Sequence, residues 1–311
     1  MIGADGTRGG QFAHPALFYR DDTEYLATTI PFITNGLDAG EPVAAAVPPR
    51  QLKLLRTELG GAAEHVRFFD MAVDGRNPGR IIPNVLHAFA DEHRTSRVRI
   101  IGEPLWDGRT EIEYPACVQH EALVNLAFAE RDVTIMCPYD SATLTPHAIA
   151  DAAATHSVLI DANGTRDSVD FAPERIAATY NRPLPAPEDA VPQPFEYRTL
   201  SHMRRFLRRQ AESLGVDPGR LDDVVLAVTE LATNTVEHGP GSGVLHVWTD
   251  GDDFVCQVSD TGQIFNPLVG RIPATPEQIR GRGVLLVNYL ADLVRMYTGP
   301  DGTTFRTYFI R

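Results

Sequence analysis

Residues 222–238 read DDVVLAVTELATNTVEH, and the periodicity of this stretch decides how the C-terminal third of the chain folds. Projected at about 100° per residue, Val224, Val228, Leu231, Ala232 and Thr235 share one arc, and Glu230, Asn234 and His238 occupy the adjoining arc of about 80°. The spacing predicts a helix over 217–238 that packs on one face and offers polar groups on the next. A carboxylate and an amide oxygen one turn apart suit a hard cation such as Mg²⁺, which prefers oxygen ligands and retains waters. The same spacing describes a solvated helix face, so its meaning depends on what surrounds it.

Downstream, the apolar strand FVCQVSD ends in Asp260-Thr261-Gly262, and after 18 residues Gly281-Arg282-Gly283 opens the helix VLLVNYLAD. Glycines before a helix let backbone N–H groups approach an anion that the helix dipole favours. A carboxylate at a strand end can accept a hydrogen bond from an exocyclic amine such as that of adenine. Two helices, two strands, a Pro- and Gly-rich loop, a third helix and two final strands predict an α/β sandwich of helices on an antiparallel sheet.

In order and spacing, ELATNTVEH (230–238), DTG (260–262), GRGVLLVNYLADLV (281–294) and GTTF (302–305) resemble the N, G1 and G2 boxes of the GHKL (histidine-kinase-like, HATPase_c) ATPases, and within them the anti-sigma-factor serine/threonine kinases. The resemblance implies the cofactors ATP and Mg²⁺. It implies that Asn234 holds the Mg²⁺, that Glu230 is the catalytic base toward an attacking serine, and that Asp260 meets the adenine amine beside Gly262. It places Gly281, Arg282 and Gly283 at the phosphates under a lid, Thr303 or Thr304 at the pocket wall, and His238 in either a ligand or a helix-capping role. One departure stands out: the usual DxGxG is here Asp260-Thr261-Gly262-Gln263-Ile264, and the lid segment 266–283 contains three prolines. A stiffer lid supports ATP binding better than rapid transfer, which keeps open a binding switch with a weak catalytic pocket.

The helix SHMRRFLRRQAESL precedes this unit. A sensor histidine kinase would need a phosphoacceptor on a long helical hairpin, and His202 sits on one short helix without that context. Arg204, Arg205, Arg208 and Arg209 form a basic cluster there. The resemblance implies that this helix serves a partner surface, for a sigma factor or an anti-anti-sigma (STAS) protein, and leaves a homodimer open.

Between 183 and 195, the sequence PLPAPEDAVPQPF carries five prolines, which no helix or inner strand tolerates, and predicts a semi-rigid linker. With 311 residues and 43% apolar side chains the chain has material for two cores. The expected divisions are a tail over 1–11, a domain over 12–182, the linker, and a domain over 196–311. The net charge of −13 falls mainly on the first 195 residues, with 16 basic against 27 acidic side chains. That balance argues against direct nucleic-acid binding by this half. No run of about 18 apolar residues predicts a membrane span, and three scattered cysteines fit a reduced, cytoplasmic protein.

In the first half, short apolar runs at 42–47, 66–69, 98–101 and 133–137 alternate with helical patterns, which predicts a mainly parallel sheet flanked by helices. The stretches HPALFYRDDTEYLATTIPFITNGLDAGEPVAAAVPP, VRIIGEPLWDG, EALVNLAFA and VTIMCPYD resemble the MEDS family of sensory domains, DcmR type. The resemblance implies an unidentified small-molecule ligand. His14, Tyr19, Glu103, Trp106, Glu121, Cys137 and Tyr139, with Asp140, are the expected pocket residues, converging at one sheet edge. A metal on His14, Cys137 and Glu121 would require a proximity that sequence does not show, and no metal is assigned to this half.

Overall fold

A computed structural model describes residues 12–273 and 281–311; the expected tail over 1–11 and the centre of the expected lid, 274–280, lie outside the described residues. The chain is a mixed α/β protein of two compact units, one up to Tyr180 and one from Asn181 to Arg311.

The first unit holds a seven-stranded sheet of β1 (Pro15–Tyr19), β2 (Val43–Val47), β3 (Val66–Asp70), β4 (Val98–Gly102), β5 (Val133–Asp140), β6 (Val158–Asp161) and β7 (Gly164–Asp167). Its order is β3-β2-β4-β5-β1-β6-β7, parallel except for the terminal β6–β7 hairpin. Helices α1 (Asp22–Asp38) and α2 (Pro49–Leu59) cover one face with Val43, Ala45, Val47, Ile101 and Met136. The other face buries Ala44, Ala46, Ile100, Ile135 and Cys137. Against it lies a broken helix in which α3 (Pro78–Arg80) passes through a π-helical stretch (Ile81–His87) into α4 (Ala88–Glu92), together with α5 (Tyr114–Ala127) and α6 (Pro146–Thr155). Successive strand residues point to opposite faces, so a sheet covered on both sides needs uninterrupted apolar strands, as VAAAV supplies. The short α7 (Pro173–Tyr180) ends the unit.

Several elements go beyond those expected from periodicity. The helix α1 contains Pro31 and four threonines, poor helix formers. It is held by the Asp21 side chain capping Glu24 N–H at 3.0 Å and by burial of Tyr25, Phe32 and Ile33.

The second unit is an antiparallel sheet, order β11-β12-β10-β9-β8, of β8 (Val191–Glu196), β9 (Ser242–Asp250), β10 (Asp253–Asp260), β11 (Leu293–Gly299) and β12 (Gly302–Ile310). Helices α8 (Leu200–Ser213), α9 (Leu221–His238) and α10 (Gly283–Leu290) pack on it around Leu207, Val228, Leu231, Phe254 and Phe309. The segment expected to be wholly linker thus ends as an edge strand. Pro192 and Pro194 lie two residues apart, so both missing donors face the same, outer side of β8. The long helix starts at Leu221 rather than 217, because Asp217 instead accepts a turn hydrogen bond from Gly219 N–H at 2.7 Å. Among the described residues no helix is long and apolar enough to cross a membrane.

Phe254 is fully buried at the centre of this core. Phe254→Ala should lower the unfolding free energy of the second unit by about 3–5 kcal/mol, read by urea denaturation in a Trp106→Phe background so that Trp248 alone reports. A loss below about 1 kcal/mol would contradict that placement.

Candidate functional site

The N-terminus of α10 meets α9 where the polar arc of α9 begins. A Cβ added at Gly283 would lie 2.9 Å from Glu230 Oε2 and 3.2 Å from Asn234 Nδ2. Glycine is what lets the chain start a helix this close to both side chains. A carboxylate, an amide and the partly positive end of a helix therefore share one spot.

Beside that spot opens a cavity of about 380 Å³ that contains Asn234, His238, Asp260, Gly262, Gly281, Gly283 and Thr303 in its lining. Asp260 is fixed from two sides: its Oδ1 accepts from Gly262 N–H at 2.8 Å and its Oδ2 from the Thr235 hydroxyl at 2.5 Å. Gly302, at φ +121°, closes the sheet behind it, where a Cβ would stand 2.0 Å from the Asp260 carbonyl oxygen. The Thr303 hydroxyl donates to Gly262 O at 2.9 Å. Leu231, Ile264, Val269, Val284 and Phe305 give the cavity apolar walls.

Three expected residues fall outside this lining, and the first, Glu230, stands beside it at the Gly283 contact. Arg282 is exposed between Gly281 and Gly283. Thr304 points to the opposite sheet face, where its hydroxyl meets Ser259 at 3.1 Å, so of the two threonines only Thr303 faces the cavity. Thr235, Leu231 and Phe305 belong to the site and were not separable from core positions by their spacing. At the missing second glycine, Ile264 adopts an ordinary negative φ and its N–H donates to Thr298 Oγ1 at 2.9 Å. The same Thr298 carries both backbone groups to the Asn181 side chain, at 2.8 and 3.1 Å, which ties the first residue of this unit to the cavity wall. On α8, Arg204 and Arg205 are exposed, whereas Arg208 is spent on an ion pair with Asp222 at 2.5 Å.

The expected sensory residues do not converge at one edge; they form two groups. At the carboxyl ends of the parallel strands, Tyr19, Glu103 and Trp106 line an open cleft of about 890 Å³ with Arg50, Gln51 and Asp140. The Tyr19 hydroxyl donates to Glu103 Oε1 at 3.1 Å. Burial pushes the Glu103 carboxyl well above its ordinary 4.5, and Glu103 Oε2 has no hydrogen-bond partner. His14, Glu121 and Cys137 instead lie inside the unit, against Tyr139 and His156. His14 precedes β1, and the register sets Ala16 beside Cys137, so this group sits behind the cleft, toward the middle of the sheet.

A helix-covered antiparallel sheet whose cavity joins a helix start to a strand-end carboxylate is the architecture expected of a histidine-kinase-like ATPase unit, and it follows a parallel-sheet unit. The family models agree: residues 13–157 match MEDS, the MEthanogen/methylotroph, DcmR Sensory domain, and residues 194–309 match the histidine kinase-like ATPase domain. This chain carries a MEDS domain followed by a histidine kinase-like ATPase domain. Among solved structures, the RsbU and RsbW domains of Rv1364c from Mycobacterium tuberculosis are similar at 23% identity over 40% of this chain and 33% of that one, TM-score 0.30. This chain thus spans about a third of that protein's length. The SiaB-SiaC complex from Pseudomonas aeruginosa is similar at 15% identity over 44% of this chain and 95% of that one, TM-score 0.31. No curated protein matches the chain.

The buried Glu103 has a pH signature. Its carboxyl is raised in the folded chain and ordinary in the unfolded one, so its share of stability is complete below pH 4.5 and is lost as pH rises toward the folded value. Relative to the parent, Glu103→Gln should therefore gain stability as pH rises above 4.5, measured by urea midpoints at a series of pH values. A difference that stays flat with pH contradicts a carboxyl raised by burial.

Proposed function

We propose that this chain is a partner-switching regulator whose ATPase unit binds Mg·ATP and phosphorylates a serine or threonine of a partner protein, under control of a small molecule taken up by the MEDS unit. The observation that carries this reading is the meeting of Glu230, Asn234 and Gly283 at the start of α10, beside a cavity that presents Asp260.

The residues suit the nucleotide. Asp260, with both oxygens oriented by Gly262 and Thr235, accepts from an exocyclic amine, and the apolar walls contributed by Leu231, Ile264 and Phe305 suit a flat base. The Asn234 side chain offers the oxygen that a hard cation prefers, and the N–H groups at the start of α10 face the anionic end. Bound Mg·ATP supplies the transferable phosphoryl group and the positive charge that offsets its oxygens. Glu230, one turn before Asn234, accepts the proton of the incoming hydroxyl. Exposed Arg204 and Arg205 on α8 suit an acidic partner surface, of a sigma factor or of a STAS-type anti-anti-sigma protein.

A second reading has its own support. Ile264 replaces the second glycine of the usual motif, and its N–H is tied to Thr298, which restrains the start of the lid and favours a switch that binds nucleotide but transfers slowly.

Calorimetry of the full chain with ATP and Mg²⁺, and phosphorylation of a partner captured from the native host, separate these readings. Glu230→Ala should keep ATP affinity and lower transfer by about a hundredfold or more. Asn234→Ala should weaken Mg·ATP binding by about tenfold or more. A parent that binds no ATP in the presence of Mg²⁺ overturns both readings. A parent that binds ATP without phosphorylating the partner leaves the switch, and a Glu230→Ala chain that transfers as fast as the parent removes the base assignment.

A further inference from the structure

In the first unit, four side chains that bind transition metals come together from four places in the sequence. His14 precedes β1, Glu121 lies on α5, Cys137 on β5, and His156 follows α6. One donor atom from each lies within 4.8 Å of every other, and all four residues are buried. His14 Nε2 stands 3.2 Å from Glu121 Oε2, His156 Nε2 stands 3.4 Å from the same oxygen, and Cys137 Sγ stands 3.4 Å from His14 Nε2. Tetrahedral zinc with bonds of about 2.0–2.3 Å places its ligand atoms about 3.3–3.7 Å apart. Three of the six donor pairs lie close to that spacing, and all six lie within 4.8 Å.

The hydrogen bonds around the cluster orient its donor atoms as a bound cation would need them. His156 Nδ1 lies 2.8 Å from the Ala152 carbonyl oxygen, which only accepts, so Nδ1 carries a proton and the neutral ring presents a lone pair on Nε2. The Asn125 Nδ2 is committed to the carbonyl oxygens of Glu121, Ala122 and Thr155, which turns its Oδ1 toward His14 Nδ1 at 3.3 Å. His14 Nδ1 is then also a donor and its Nε2 also a lone pair. Both imidazoles are thus fixed from behind by acceptors, as metal-ligating histidines are. Their free nitrogens face a carboxylate, and neither Glu121 oxygen nor His156 Nε2 has a hydrogen-bond partner. Lone pairs facing one another out of water are costly unless a positive charge lies among them.

We propose that His14, Glu121, Cys137 and His156 bind one transition-metal ion, Zn²⁺ by donor type, inside the MEDS unit. Two neutral imidazoles, a carboxylate and a thiolate around a divalent cation sum to zero charge, which suits complete burial. The thiol proton of Cys137 leaves to solvent as the sulfur coordinates. Four protein ligands fill a tetrahedral shell, which is the closed form of a structural rather than a catalytic site. The ion would fix the chain before β1 and the end of α6 to the middle of the sheet, separately from the open cleft at Tyr19 and Glu103 and independently of the nucleotide site.

The test is a Co²⁺ titration of the chelator-dialysed full chain, followed by absorption, with Co²⁺ standing in for zinc. The parent should take up about one equivalent and show tetrahedral d–d bands together with a thiolate-to-cobalt charge-transfer band. Cys137→Ser should lose the charge-transfer band, and His156→Gln should weaken uptake by about tenfold or more; circular dichroism establishes that each chain is folded. A folded parent without these bands, or a Cys137→Ser chain that keeps the thiolate band, overturns the proposal.

Discussion

The ATPase unit depends on one close approach: the start of α10 lies so near Glu230 and Asn234 that no side chain fits at Gly283. Without it, the polar arc of α9 would be a wet helix face. With it, a carboxylate and an amide stand at the positive end of a helix, in partial shelter from water, where charge interactions gain strength. The two helices are held in that relation by a shared core of Val228, Leu231, Val284 and Val287.

The opposite side of the cavity is built from the sheet. Asp260 ends β10, and its orientation depends on Thr235 of α9, Gly262 of the following turn and the Gly302–Thr303 start of β12. Thr298 extends this network to Ile264 and Asn181. The first residue of the unit, where the chain arrives from the MEDS domain, is therefore hydrogen-bonded to the strand end that positions the cavity wall.

Much of this geometry was legible in the sequence because its residue types fall at ordered places: a helix with Glu230 and Asn234 one turn apart, a strand ending in Asp260, glycines before a helix. What was not legible has physical reasons. Thr235 lies on the apolar arc of α9, and spacing cannot reveal that its hydroxyl orients a carboxylate. The two prolines of β8 are forbidden to an inner strand but free on an edge, and only the tertiary pairing with β9 distinguishes the cases. In the MEDS unit, alternation tells which face of the sheet a residue takes but not which end of the strands it occupies. His14 and Cys137 therefore could not be separated from Tyr19 and Glu103, although one pair is enclosed and the other lines an open cleft, and His156 carried no signal that singled it out.

The most direct measurement of the central claim is Mg·ATP binding by full-length Gly283→Val beside the parent, using calorimetry, with circular dichroism to establish folding. The parent should bind, and the added branches, directed at Glu230 and Asn234, should weaken binding by at least about tenfold. A folded Gly283→Val chain that binds Mg·ATP as tightly as the parent would contradict a site built on the contact between α9 and the start of α10.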